Sequence, residues 1–243
     1  MNRYVFRFTK KGNMRFISHL DLARLFKRAV RKGGILVGFS NGYNPHELVN
    51  IVQPLSLGYE SESEYFEIDT LIPYDPESLS DKLNEAMPEG LKFYDPAQIE
   101  RTSDNLSNKT RYALYEAVFG VKNEAQMPDP ETFLRQDHIF ITKKDKKTKQ
   151  PVEKDVKAFI KELSAYRSED STVKIRMMLR CASNETLNPG KLLQSLFKYY
   201  NYSISPEDCR ITRLDLYTED DQGTLMPLCE AIRNGIIPGG IRP

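Results

Sequence analysis

The chain has 243 residues, of which 40% are hydrophobic and 28% are charged, and its net charge is +1. This length allows one large or two small hydrophobic cores, and the balanced charge neither requires nor excludes a polyanionic partner. The three cysteines are widely spaced and form no CxxC motif, which argues against a disulfide framework and against an iron–sulfur cluster bound by this chain alone. The chain opens on an alternating pattern and has no apolar run long enough to span a membrane. We therefore expect a soluble, cytoplasmic protein without a membrane partner.

Charge is distributed unevenly along the chain. Residues 1–34 contain ten Lys or Arg and one acid, a net of +9, whereas residues 57–104 contain thirteen acids and three basic residues, a net of −10. This asymmetry predicts either surfaces of opposite potential or attraction between the two segments in the folded protein.

The first hundred residues predict one α+β lobe. Residues 3–9 alternate as a strand does, with Tyr4, Phe6 and Phe8 on one side. A helix is predicted over 18–32, with Ser18 as N-cap and Asp21 in a short-chain variant of the capping box. Two strands, a helix between Pro76 and Pro88 and a closing strand are then predicted at 48–54, 63–72, 77–87 and 91–99. This β-α-β-β-α-β order indicates a ferredoxin-like lobe over residues 1–104.

A polar linker at 101–109 separates this lobe from a second pass of the same order. Its strands and helices are predicted at 111–121, 130–136, 138–142, 173–181, 189–201 and 210–218, with a lysine-rich hairpin tip at 143–150 and an amphipathic stretch to Leu163 inserted before the third strand. A second ferredoxin-like lobe is thus predicted over 110–218, from element order and without a residue-level repeat. Residues 219–243 predict a helical turn and a flexible tail.

Three segments carry a family resemblance: RFISHLDLAR at 15–24, FSNGYNPH at 39–46 and PLSLGYES at 54–61. They resemble the radical-SAM-associated bacterial domain, a domain of unknown function found fused to, or encoded beside, a B12-binding radical SAM protein. The resemblance is densest over residues 1–72. It continues through Val152–Leu163, where the family shows a charged strand leading into a helix.

The resemblance implies a radical SAM protein as partner, with nucleic acid or its modification as the associated process. The iron–sulfur cluster, S-adenosylmethionine and cobalamin would belong to that partner, because this chain lacks the cysteine triad of radical SAM enzymes and is expected to hold no cofactor. The tandem layout also resembles that of tRNA pseudouridine synthases and CRISPR-repeat endoribonucleases, although a shared fold does not establish function.

Two histidines lie in the segments that carry the resemblance. His19 and Asp21 are about 200° apart around a helix, so a catalytic His–Asp pair is not expected. Asp21 is predicted to complement the helix dipole and to pair with Arg24 or Arg28. His19 is predicted to be half-buried, or alternatively to contact a ligand phosphate.

His46 follows an irregular turn, Asn41–Pro45, of the kind that places functional groups at a surface. If His19 and His46 converge with Ser18, Asp21 or Asn44, a small polar pocket forms between the first helix and this turn. Two histidines and one acid are also a conceivable metal-binding set, but nothing fixes the spacing of these ligands, and no metal is expected. His138 is isolated and is interpreted as a strand-edge residue.

The first helix carries a basic stripe of Arg24, Lys27 and Arg31, with Arg28 and Lys32 beside it. Alternation further predicts basic residues on two open sheet faces, namely Arg3 and Arg7 in the first lobe and Lys174, Arg176 and Arg180 in the second. Such faces suit RNA, but the aromatic residues of the first strand point away from its basic face, so binding would depend on charge.

The sequence therefore predicts an accessory, substrate-binding protein that acts with a radical SAM partner in modification of tRNA or rRNA. The predicted substrate-binding residues are His19, Arg24, Arg28, Arg31, Asn44 and His46. One alternative is a stand-alone RNA-modifying or RNA-processing enzyme, with Asp21 or His46 as acid or base, although no catalytic residue is identified. Another is a protein-interaction module without a nucleic-acid substrate.

Overall fold

The computed structural model of the chain describes residues 1–101, 105–120, 127–145, 148–168, 172–182 and 185–237. Over these residues the protein is α+β. Its strands are β1 (Asn2–Lys10), β2 (Val49–Val52), β3 (Glu60–Thr70), β4 (Leu91–Ile99), β5 (Tyr112–Gly120), β6 (Phe140–Lys144), β7 (Pro151–Asp155), β8 (Ile160–Arg167), β9 (Thr172–Ala182), β10 (Glu185–Thr186), β11 (Arg210–Glu219) and β12 (Leu225–Pro227).

The α-helices range from four to fourteen residues. They are α1 (His19–Lys32), α2 (Pro76–Asn84), α3 (Leu106–Lys109), α4 (Pro130–Leu134), α5 (Pro189–Tyr199) and α6 (Leu228–Arg233). Within the described ranges, no helix has the length and apolar character needed to cross a membrane.

The chain divides into two compact units, and the division falls within β11. The first unit consists of residues 1–111 and 215–243, and the second of residues 112–214. The lobe boundaries of 1–104 and 110–218 stay a prediction, because compactness alone does not define a folding domain.

The first unit has an antiparallel sheet in the order β4-β1-β3-β2. Alternate residues of β1 enter the core, where Phe6 and Phe8 contact an aromatic cluster. The ring of Phe26, from α1, lies 4.9 Å from Phe8, 5.0 Å from Phe66 and 4.9 Å from Phe93, measured between centroids. The predicted strand and helix pattern of this region is therefore confirmed, with element ends shifted by a few residues.

Helix α1 begins and ends where its sequence signals predict. Ser18 is the N-cap, and its hydroxyl accepts the backbone N–H of Asp21. At the other end Gly34 is left-handed (φ +63°), the Gly34 N–H donates to the Arg31 carbonyl and the Ile35 N–H donates to that of Val30. This Schellman arrangement needs glycine at the left-handed position.

The basic opening segment contacts acids of β3. Nε of Arg3 donates to Asp69 at 2.7 Å, Nζ of Lys11 lies 2.6 Å from Glu62, and Nη1 of Arg15 lies 3.9 Å from Glu60. Of the two consequences predicted from the charge asymmetry, attraction between the segments is therefore confirmed in this unit.

The second unit is built around β9, which pairs with β5 along one edge and with β8 and β10 along the other. Strands β6 and β7 form a separate hairpin. Helix α5 buries an apolar stripe that includes Leu192, Leu196 and Phe197, and the Phe197 ring lies 5.2 Å from that of Phe119.

One prediction about secondary structure is wrong. The charged strand expected within Val152–Leu163 is β7, but the helix expected to follow it is limited to a single 3-10 turn at Lys157–Phe159, and β8 begins at Ile160, because β9 offers an open edge whose backbone groups β8 satisfies. The helical turn expected within residues 219–243 is confirmed as α6, whose Leu228, Ala231 and Ile232 are buried, and the short strand β12 precedes it.

Parts of four predicted segments lie outside the described residues. They are positions 102–104 of the linker, 121 of the strand expected over 111–121, 146–147 of the lysine-rich tip and 238–243 of the tail. The described part of the linker contains α3, whose Leu106 is buried.

Replacement of Phe26 by Ala is expected to lower the free energy of unfolding by about 4 kcal/mol, because it leaves a cavity among three aromatic rings. The matched control is Phe16→Ala, which removes a ring that is 59% exposed and should change stability by less than about 0.5 kcal/mol. Urea denaturation of both variants measures the difference. Equal destabilisation would contradict the placement of Phe26 at the core centre.

Candidate functional site

The N-terminal turn of α1 engages both carboxylate oxygens of Asp21, the acid of the Ser-His-Leu-Asp stretch. The Ser18 hydroxyl donates to Oδ2 of Asp21 at 2.8 Å, and Nη1 of Arg24 donates to Oδ1 at 2.9 Å. These hydrogen bonds, that of Ser18 first, hold the pKa of the exposed Asp21 carboxyl below its usual value. Asp21 accepts from the Ser18 hydroxyl instead of the backbone N–H, so the predicted capping-box variant does not form.

His19 and His46 lie at opposite ends of α1. His19 is half-buried at the start of the helix, and burial followed by the charge of Lys10 lowers its pKa. His46 precedes Glu47, which contacts Arg31 in the last turn of α1. Arg31 lies about 18 Å along the helix axis from His19. The structure therefore does not bring the two histidines together, and the pocket expected from their convergence is not formed.

The turn that contains His46 is closed by its own hydrogen bonds. Oγ of Ser40 lies 2.8 Å from Nδ1 of His46, the His46 N–H donates to the same hydroxyl, and the Ser40 N–H donates to the His46 carbonyl. Asn44 is exposed at the tip of this turn, and Tyr43 beside it is fully exposed. The turn therefore exposes the His46 ring and the Asn44 amide on a backbone that its own hydrogen bonds hold closed.

A cavity of about 210 Å³ lies beside His46. It is lined by Arg3, Asn50, Glu67 and Asp69 among others. Burial raises the pKa of Glu67, although Asn50 donates to this carboxyl at 2.6 Å. Burial alone would also raise the pKa of Asp69, but hydrogen bonds from Arg3 and Arg101 outweigh it and hold that pKa below its usual value. These polar groups satisfy one another, so His46 at the cavity is the group best placed to meet a ligand.

The outer face of α1 remains basic after its ion pairs are counted. Arg31 and Lys27 both contact the buried Glu47, at 2.5 Å and 3.5 Å. Within the part of the chain described, Arg28 and Lys32 are exposed and form no ion pair. Five basic residues (Arg24, Lys27, Arg28, Arg31 and Lys32) therefore face two acids (Asp21 and Glu47), which leaves a net charge of +3 on this face.

The predicted basic sheet face of the first unit is wrong. Nε of Arg7 donates to Ser63 at 3.0 Å, and its other nitrogens lie 3.1 Å from Asp215 and 3.5 Å from Asp95. Helix α6 covers this region, where the Cys229 N–H donates to the Tyr65 hydroxyl. Arg3 is likewise held by Asp69. Both arginines are therefore neutralised by acids that come from distant parts of the sequence.

In the second unit the predicted basic face is partly neutralised. Lys174 lies 3.9 Å from Glu116, and Arg180 donates to Glu185 at 3.1 Å and stacks on the Tyr112 ring. Arg176 is exposed without an ion pair among the residues described.

Sequence reasoning missed an exposed apolar patch at the start of α1, which we define as Phe16, Leu20 and Leu57. The Arg15 guanidinium lies 4.6 Å from the centre of the Phe16 ring, and the Gly58 N–H donates to the Arg15 carbonyl, which brings the Leu57 segment beside Phe16. All three residues lie inside the segments that carry the family resemblance. Their location in these segments was the one sequence signal for the patch, because hydrophobic periodicity does not show which apolar residues stay exposed.

His138 is also more than an isolated strand-edge residue. Its Nδ1 lies 2.8 Å from Oδ2 of Asp155, and this hydrogen bond, with those of the Lys157 and Ile139 N–H groups, lowers the pKa of Asp155 to about 2. The partner is seventeen residues away along the chain, so spacing gave no signal.

No group of three or more His, Cys, Asp or Glu side chains within the described ranges is arranged to hold a metal ion. Cys181 is buried, and burial raises the pKa of the Cys209 thiol to about 12.

The family model described as "uncharacterized protein conserved in bacteria (DUF2344)" matches residues 3–189, and the chain belongs to this family. A comparison with curated proteins gives no match.

Solved structures with some similarity include DyPB from Rhodococcus jostii RHA1, at 12% identity over 99% of this chain and 95% of that one, with a TM-score of 0.21. The encapsulated DyP-type peroxidase from Mycobacterium smegmatis shares 10% identity over 94% and 93%, with a TM-score of 0.20. Similarities this weak carry no argument about fold or function.

Replacement of Asp69 by Asn is expected to lower the free energy of unfolding by about 3 kcal/mol, because it leaves the part-buried Arg3 without its counter-charge. The folded-state pKa of Asp69 lies below 3.8, so the stabilisation is complete above about pH 5 and is lost as the pH falls below about 4. Urea denaturation between pH 3 and pH 7 measures this difference. The control, Glu62→Gln, breaks an exposed pair worth less than about 1 kcal/mol. A D69N penalty that persists unchanged at pH 3 would be inconsistent with this account.

Proposed function

We propose that this chain is a cytoplasmic accessory protein that binds RNA and holds it for a radical SAM partner, in modification of tRNA or rRNA. The basic outer face of α1 is the observation that carries the proposal. Arg24, Arg28 and Lys32 follow at intervals of four residues and so share one face over about 12 Å of helix. Arg24 is 72% exposed, and such side chains are available to phosphate groups.

The turn at His46 extends this surface. Arg31 and Lys27 connect α1 to Glu47, so His46 lies beside the C-terminal end of the basic face. Asn44 and His46 then supply hydrogen-bonding groups next to cations, a combination suited to ribose and base contacts. His19, at the far end of α1, is half-buried and has a smaller part in the proposed surface.

Two features favour an accessory role over a stand-alone enzyme. Both carboxylate oxygens of Asp21 are engaged by Ser18 and Arg24, and its pKa is shifted away from that of a base active near pH 7. His46 contacts a serine and no carboxylate among the described residues, so it lacks the acid that would orient it.

We further propose that the cofactors of the reaction, an iron–sulfur cluster, S-adenosylmethionine and cobalamin, belong to the partner.

The β4-β1-β3-β2 order of the first unit supports a ferredoxin-like lobe, as in the layout predicted from the sequence. The second lobe of that layout is proposed on element order alone, and its similarity to tRNA pseudouridine synthases and CRISPR-repeat endoribonucleases stays architectural.

The double variant Arg24→Ala, Arg28→Ala is expected to weaken RNA binding and to reduce the slope of log affinity against log salt by about 0.7 per cation removed. Fluorescence anisotropy with a labelled single-stranded RNA at several salt concentrations measures both. The charge-matched control is Lys92→Ala, Lys161→Ala, which removes two exposed cations that do not belong to α1.

Wild-type protein without measurable RNA affinity at low salt would overturn substrate binding. The RNA recovered from the same experiment also tests the alternative of a stand-alone enzyme. A changed RNA mass after incubation with the isolated protein would favour that alternative.

The exposed apolar patch supports a second role, docking on the radical SAM partner. Phe16, Leu20 and Leu57 are each more than half exposed and adjoin Arg15, and aromatic and arginine side chains are enriched at protein interfaces. A module that binds only protein would use this patch without binding RNA.

The variant Phe16→Ser, Leu20→Ser is expected to reduce capture of the B12-binding radical SAM protein by about tenfold or more, while RNA affinity stays unchanged. Co-purification of the two proteins from a shared expression culture measures capture. The control, Leu71→Ser, Ile72→Ser, removes two exposed apolar side chains elsewhere in the first unit. Equal capture by wild type and the F16S/L20S variant would rule out this docking surface.

A further inference from the structure

A groove in the second unit lies between the β6–β7 hairpin and α5. It encloses about 450 Å³, within the range of sites for small organic groups. Its walls are joined directly, because the Ser195 hydroxyl on α5 donates to the Phe140 carbonyl on β6 at 3.0 Å. The groove lies entirely within one unit and uses none of the residues assigned to the α1 surface.

The sequence of α5 explains why this wall is polar. Its apolar residues recur at helical spacing and are buried, which turns the stripe of Lys191, Gln194, Ser195 and Lys198 towards the groove. In the hairpin, Phe140 and Thr142 are two residues apart and so share a face, on which Thr142 is paired with Glu153 of β7.

Two aromatic side chains line the groove with open surface. Phe140 is 49% exposed and Tyr199 is 40% exposed. Tyr199 is held edge-to-face by the buried Phe133, with ring centroids 5.5 Å apart. The His138 ring, anchored by Asp155, lies 5.7 Å from that of Phe140 at 30° and extends the flat surface.

Charged groups flank these rings. Lys198 is exposed, and its ammonium group has no ion pair or hydrogen bond within the described ranges, whereas Nζ of Lys191 lies 3.3 Å from Gln194. The Glu153 carboxylate lines the same groove. Cations here can meet phosphate, and the carboxylate accepts hydrogen bonds from an exocyclic amino group such as N4 of cytosine.

We propose that this groove binds single-stranded RNA, with bases stacked on Phe140 and Tyr199, phosphate held by Lys191 and Lys198, and Glu153 selecting an amino-bearing base over uracil. The inference rests on the proposed RNA-binding function and deepens it by naming a base-reading site. Flat rings beside cations match the stacking surfaces of single-strand binders. Among the described residues, Ile141 is the one aliphatic side chain that lines the groove, so the groove lacks the aliphatic wall that a helical peptide would need.

The probe pair is labelled rC8 and rU8, two pyrimidine octamers that differ in the base by an amino group against a carbonyl oxygen at position 4. Fluorescence anisotropy with the full chain is expected to show tighter binding of rC8. Phe140→Ala should weaken binding of rC8 about tenfold, because a stacking contact is lost. Lys198→Ala should reduce the salt slope by about 0.7. Glu153→Gln should remove the preference for rC8 while binding of rU8 is kept.

Matched controls are Tyr166→Ala, an exposed aromatic residue on β8, and Lys161→Ala, an exposed lysine on the same strand. Thermal unfolding confirms that each variant is folded. If F140A does not fold, crosslinking of wild-type protein to rC8 carrying one 4-thiouridine replaces it, with crosslinks expected in residues 138–155 and 189–199.

The outcomes separate this inference from the proposed function. RNA binding that depends on Arg24 and Arg28 but not on Phe140, Lys198 or Glu153, or crosslinks confined to residues 19–32, would overturn the groove and leave the proposed function intact. Equal affinity for rC8 and rU8 would overturn the assignment of Glu153. Absence of binding to both octamers and to longer RNA would overturn the groove and the proposed function together. A groove that instead captures a peptide or a second copy of the chain would also refute the inference.

Discussion

The pairing of the basic opening segment with acids buried on β3 is the constraint on which the first unit depends. Asp69 is almost wholly buried, and a buried carboxylate is stable only where cations and donors satisfy it. Arg3 lies opposite Asp69 in the register of β1 and β3, so correct strand pairing and charge compensation are achieved by the same contact. A one-residue slip would move Arg3 to the other face of the sheet and leave Asp69 without it.

This constraint also decides where free positive charge remains. The opening segment has a net charge of +9, and the arginines of its strand form ion pairs with acids of the same unit. Helix α1 differs because its core face is apolar and its outer face meets two acids, Asp21 and Glu47. The positive charge that is not neutralised is therefore concentrated on the exposed face of α1, where it attracts anions from solution.

Local signals made part of this structure predictable. The Ser18 cap and the glycine pair after Lys32 define α1, and alternation in β1 defines its buried face, because these features depend on neighbouring residues. Strand β8 could not be predicted, since it forms on the open edge of β9, and the covering of the sheet face around Tyr65 by α6 likewise depends on a partner distant in sequence. The same limit applies to the site. Sequence spacing identified the basic helix, but it placed Arg3 and Arg7 on an open face because their acids, Asp69 and Asp215, follow 66 and 208 residues later.

The two proposed RNA contacts differ in the information that they can read. A row of cations on α1 senses phosphate, which every nucleotide carries, so it can hold RNA without choosing a sequence. The groove beside α5 offers rings, two amides and one carboxylate at short range, and such groups can distinguish one base edge from another. A protein that only retained RNA would need the first surface alone. The half-exposed Phe140 and Tyr199 expose apolar surface to water, and recognition of a base is the role that would compensate for it.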